Sequence, residues 1–81
     1  MLETLLRNVA KAFPQVLDIH DIYATRHHDR VQVNCHCTLP DELPMSRVHE
    51  VMTALENAFK LEAPDVGRLL IHPEPATDNR R

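Results

Sequence analysis

Residues 31 to 39 alternate without a break: Val31, Val33, Cys35, Cys37 and Leu39 hold one parity, and Gln32, Asn34, His36 and Thr38 hold the other. A period of two is the repeat of a β-strand, and an apolar face opposite a polar one suits a sheet covered by helices on a single side. The covering helices are legible on either side of it. Leu2, Leu5, Leu6, Val9 and Phe13 recur at three- and four-residue steps, and Pro14 closes that stripe. Val48, Val51, Met52, Leu55 and Phe59 repeat the pattern. Pro44 suits the first turn of this second helix, Asp41 and Glu42 suit the positive end of its dipole, and Pro64 marks its end.

Two further strands complete the set. Ile19 to Arg26 reads as extended, although Asp18, His20 and Asp21 disturb its alternation; the polar His27-His28-Asp29 that follows reads as a hairpin tip. In Val66 to Glu74, Leu69 and Ile71 share one parity while Leu70, His72 and Glu74 share the other, and Pro73 and Pro75 are expected to stop the pairing. The order helix, strand, strand, helix, strand predicts an α+β domain in two layers, αββαβ. The first two strands form a hairpin, and a right-handed helical crossover lays the third parallel to the second. The expected product is a three-stranded mixed sheet with two helices on one face and the other face bare. One domain is expected over residues 1–76, with 77–81 as a frayed tail.

Composition narrows the function. A chain of 81 residues has a thin stability margin from a single core, and domains of this size often lean on a metal or a partner. Phe13, Phe59 and Tyr23 are its only aromatics, so the core is aliphatic and self-association would add needed burial. The net charge is −3 and Arg and Lys are scattered singly, which argues against a nucleic-acid partner. No apolar run approaches the roughly 20 residues of a membrane span, and Glu3 within a helical pattern does not resemble a signal peptide. Cys35 and Cys37, two apart on one strand face, would strain the backbone if bridged. They align with the core residues, where cysteine behaves as a small hydrophobe, and a reducing compartment fits them.

The compositional excess is histidine, with six in the chain. Imidazole nitrogens and carboxylate oxygens bind zinc at about 2.0–2.2 Å, usually four to an ion. His72 and Glu74 share a strand face, His36 has the polar parity of the neighbouring strand, His20 opens the first strand, and His49 lies one position off the buried stripe of the second helix. Each has an ordinary reading by itself: His36 as a surface side chain, His49 bonded to a carboxylate such as Glu50, His72 and Glu74 as a polar edge pair. Convergence from four elements makes His20, His36, His49, His72 and Glu74 candidate metal ligands, enough for one site or for two that share a ligand. Imidazole binds metal when neutral, so affinity is expected to weaken below about pH 6.5. His27 and His28 read as solvent-exposed.

Residues 20–59 together with Asp65-Val-Gly-Arg-Leu-Leu-Ile-His-Pro-Glu-Pro75 resemble the cytoplasmic C-terminal domain of the cation diffusion facilitator (cation efflux) family. The likeness is carried by His20-Asp21 opening the first strand, His36 in the second, Leu43-Pro44 followed by His49, and the closing His72-Pro73-Glu74-Pro75. It implies a metallochaperone-like αββαβ fold, a variant of the ferredoxin-like arrangement, and a cytoplasmic location. It also implies a homodimer holding zinc or a related divalent cation at or near its interface; iron, manganese, cobalt and cadmium suit the same donors. Such a domain regulates ion transport in company with the transmembrane part of an efflux transporter. Lacking transmembrane helices, the chain is expected to be an excised domain or a stand-alone relative. The alternative is a structural dimerisation module that needs no metal. Catalysis is not expected, because so small a domain encloses no pocket and offers no nucleophile with a partnered base.

Overall fold

The computed structural model describes residues 1–79. The elements run α1 (Leu2–Ala10), β1 (Asp18–His27), β2 (Arg30–Leu39), α2 (Met45–Glu62) and β3 (Val66–Pro75), then a 3₁₀ turn over Ala76–Asn79. The strands lie in the order β1-β2-β3, with β1 antiparallel and β3 parallel to β2. The mixed three-stranded sheet and the helical crossover expected from the sequence are both present.

Burial follows the parity of β2. Val31, Val33, Cys35, Cys37 and Leu39 are all buried, in one cluster with Leu6 and Ala10 of α1 and with Val51, Leu55 and Phe59 of α2. Gln32, Asn34 and His36 stay partly exposed on the opposite face, although Thr38 at the end of that series is buried. Two bonds fasten neighbouring elements to the sheet. Arg7 of α1 donates through Nη1 to the Ile19 carbonyl at 2.6 Å, and the Leu69 N–H of β3 donates to Glu56 of α2 at 3.3 Å.

Proline accounts for two departures from the sequence reading. The first helix ends at Ala10, short of Phe13. Lys11, Ala12 and Phe13 donate to the carbonyls of Asn8, Val9 and Ala10, so the last turn tightens by one residue ahead of Pro14, which disfavours helical geometry in the residue before it. At the other end, Pro73 and Pro75 do not stop the strand: they pair in register with Cys37 and Leu39. Leu69 sends its N–H off the free edge to Glu56, and the period of two carries positions 71, 73 and 75 the same way. Both prolines therefore stand where β2 asks for no donor, as edge strands permit. Beyond them, where a frayed tail was expected, the Thr77 N–H donates to Asp41 at 3.2 Å; Arg80 and Arg81 lie outside the described residues.

The hairpin closes at His27 paired with Arg30, and His28 turns the chain with φ of 56°, in the left-handed region where His is among the better tolerated residues. Cys35 and Cys37 are free and buried, and burial pushes their thiols up to about 11 and about 12, the second helped by Cys35, Asp18 and Glu74 nearby. Both thiols are expected to react with a thiol reagent far more slowly in the native domain at pH 8 than in denaturant. Phe59, with no exposed surface, anchors α2 to the sheet. Phe59→Ala is expected to cost about 3–5 kcal/mol in urea titration, a large part of what so small a domain holds.

Candidate metal centre

Strand register assembles the centre. His20 pairs with His36 across β1 and β2, and His36 pairs with His72 across β2 and β3, so three imidazoles form a row across the bare face. The His20 and His36 ring centroids are 5.5 Å apart and edge-on; those of His36 and His72 are 5.0 Å apart and stacked. Glu74, two residues past His72 on the same face, reaches back along the row. Its Oε2 lies 2.6 Å from His36 Nδ1 and its Oε1 lies 3.1 Å from His20 Nε2. An ionised carboxylate only accepts, so the His36 bond is donated from Nδ1–H.

One further acid enters through a bulge. His20 opposes His36 and Tyr23 opposes Asn34, so Asp21 and Ile22 together face the single residue Cys35. The extra residue is absorbed at Asp21, whose φ of 52° is left-handed, a conformation that Asp adopts more readily than most residues. In a regular strand Asp21 would face the core opposite Cys35. The bulge instead brings its Oδ2 to 3.6 Å from His36 Nδ1, while Ile22 packs against the core. Asp21 is the site residue that parity reasoning missed. The His-Asp dipeptide was its only signal in the sequence, since consecutive strand residues ordinarily point to opposite faces.

Four of the five predicted ligands, His20, His36, His72 and Glu74, are thus brought together. His49 is not. It is exposed on α2, which packs against the other side of the sheet, and it makes no hydrogen bond or ion pair with the described residues. His27 and His28 are exposed at the hairpin tip, at the far end of the strands from the row.

The donor set fits a divalent cation. One ligand atom each from His20, Asp21 and His36 lie within 4.8 Å of one another. Two ligands of a single ion at about 2.1 Å stand no more than about 4.2 Å apart, so small side-chain rotations close the set. Beside this face Tyr23, Asn34, His36, Leu70 and His72 line a shallow depression of about 320 Å³. Loss of water around Glu74 pushes its carboxyl up. The hydrogen bond from His36, with the positive charge His36 and His20 carry when protonated, outweighs this and holds the carboxyl below its ordinary value. A carboxyl lowered on folding lends stability above its unfolded value, near 4.3, and loses it as pH falls through the folded one. His36→Ala is expected to move Glu74 up towards or past that ordinary value in a carboxyl NMR titration; an unmoved Glu74 would mean the contact does not form in solution.

Comparison with known proteins agrees with this architecture. The family described as "Cation efflux protein, cytoplasmic domain" matches residues 2–76. Among solved structures, the metal-bound C-terminal domain of the CzcD transporter from Thermotoga maritima superposes with a TM-score of 0.90 at 16% identity, covering 98% of this chain and 92% of that one. The cytosolic domain of a cation diffusion facilitator family protein gives 0.87 at 17% identity, covering 94% and 90%. The zinc form of CzrB gives 0.83 at 22% identity, covering 99% and 86%. At these identities the structures speak for the fold. No curated protein sequence matches the chain. No helix among the described residues is long and apolar enough to cross a membrane. With a family match over nearly its whole length and the same fold in the structures compared, the chain belongs to the cation efflux proteins' cytoplasmic domain family.

Proposed function

We propose that residues 1–76 form one homodimerising regulatory unit that binds a divalent cation through His20, His36, His72 and Glu74, with Asp21 at hand and His49 supplied by the second copy. The observation that carries this reading is the row of three imidazoles in cross-strand register, spanned by a single carboxylate. A surface histidine needs no such alignment. Imidazole and carboxylate donors suit zinc and are open to iron, manganese, cobalt and cadmium. The named relatives that are metal-bound or in a zinc form support the same class of ligand.

Two features support a second copy. His49 is exposed on the helical layer, away from its own row, and in this reading it serves the row of the second copy. Exposed apolar groups lie near the centre: Tyr23 is 59% and Leu70 43% exposed on the bare face, and Met45 is 81% exposed at the start of α2, beside a depression lined by Leu39, Leu43, Pro73 and Pro75. A cation shared across such an interface would draw two domains together, stabilising the paired form by mass action. Attached to the transmembrane part of an efflux transporter, that movement would report the cytoplasmic metal level to the transport path.

The exposed Tyr23 and Leu70 also suit a dimer that needs no metal, and one experiment separates the two. Chelator-treated protein is titrated with zinc by calorimetry while light scattering follows its mass. Uptake of one or two ions per chain, with the dimer tightened, is the expected outcome. His36→Ala should weaken affinity by more than the roughly tenfold to hundredfold that loss of an outer-sphere partner costs. His49→Ala combined with His72→Ala should weaken it as well. A stable dimer indifferent to zinc would establish the structural reading, and unchanged affinity in the double variant would remove His49 and His72 from the site.

A further inference from the structure

His20 stands between two carboxylates. Its Nδ1 lies 3.0 Å from Asp18 Oδ2, and its Nε2 lies 3.1 Å from Glu74 Oε1. Ionised carboxylates only accept hydrogen bonds, and a neutral imidazole carries one N–H. Where that hydrogen sits decides which ring nitrogen keeps a free lone pair. A hydrogen on Nε2 would be aimed into the row, towards Glu74, and would occupy the lone pair a cation needs. A hydrogen on Nδ1 would be aimed back along β1 and would leave Nε2 open.

Strand geometry sets Asp18 to decide between them. Asp18 and His20 are two residues apart on one face of β1, in its regularly paired stretch opposite Thr38 and His36 and ahead of the bulge. Both backbones are thus fixed by the ladder to the central strand. The other histidines of the row are built differently. His36 turns its Nδ1 inward, to Glu74 and Asp21, and His72 meets His36 face to face. Among the described residues, His20 is the histidine of the row whose outward ring nitrogen meets a carboxylate.

We propose that Asp18 is a positioning residue: by accepting Nδ1–H from His20 it holds the tautomer and ring orientation that keep Nε2 available to a divalent cation. This rests on the metal-binding reading of the centre and adds to it a carboxylate that makes no contact with the ion. Outer-sphere carboxylates of this kind orient imidazole ligands and raise their basicity.

The test compares the unaltered chain with Asp18→Ala and Asp18→Asn, the second keeping an acceptor oxygen without the charge. Asp18 is half-exposed, so both variants are expected to fold, which amide NMR dispersion checks. Histidine ¹⁵N spectra of the metal-free proteins, taken near pH 8 where imidazole is neutral, report the tautomer directly; zinc calorimetry reports affinity. The expected result is an Nδ1–H tautomer at His20 in the unaltered chain, a shift to Nε2–H in Asp18→Ala, and a tenfold to hundredfold loss of zinc affinity in that variant. Asp18→Asn should recover most of both. An unchanged tautomer and affinity in Asp18→Ala would overturn the proposal, as would equal losses in both variants with the tautomer unmoved, which would mark a plain charge effect. Failure of the unaltered chain to take up zinc would instead sink the metal-binding reading itself.

Discussion

The two-faced pairing of β2 is the constraint on which the rest depends. As the central strand it is bonded on both edges, and its two faces serve opposite purposes: Val33, Cys35 and Cys37 fill the core while His36 stands on the bare side. A slip of one residue would exchange them, burying His36 and exposing a cysteine. The core thereby enforces the register of the centre. Because the same register places His20 and His72 beside His36, the packing behind the sheet sets the backbone positions of the row, and the contacts among its side chains act on top of that.

What the sheet brings together, the side chains must reconcile. Three imidazoles side by side repel once protonated, and three carboxylates, Asp18, Asp21 and Glu74, surround them. Glu74 answers part of this by accepting Nδ1–H from His36, while its other oxygen lies 3.1 Å from His20 Nε2. In the proposed site, this placement would lower the ordering cost of binding a cation. The opposing cost is that a cation must displace the hydrogen bonds already present. In the proposed site, affinity would be the difference between these two arrangements.

Legibility in the sequence tracks how local each determinant is. The alternation of β2 and the stripes of the two helices depend on periodicity alone, so core, element order and helical side all could be read directly. Pro73 and Pro75 misled because their effect depends on which edge of β3 faces β2, and that is fixed by the pairing, not by the strand. Asp21 escaped because its facing depends on a bulge, and nothing in His20-Asp21-Ile22 announces which residue will be the extra one. Asp18 looked like a disturbance of the pattern for a related reason: its significance lies in the ring two residues on. His49 was legible as a candidate, but a helix position states no distance to a sheet face, and within one chain the helical layer keeps it from the row.

The placement of the centre on the sheet, and not on a loop, bears on how occupancy could be transmitted. Its residues come from all three strands, and Glu74 is two positions from the turn that carries Thr77 to Asp41, just ahead of α2. A change of partner at Glu74 therefore acts at the junction of β3 with the start of the helix that bears Met45 and His49. Backbones fixed in a three-stranded ladder yield little, so in the proposed assembly movement would fall on the relation between two copies. In the proposed dimer, a rigid row would pass ligand binding on as movement of one domain against another, whereas a compliant row would absorb it within the site.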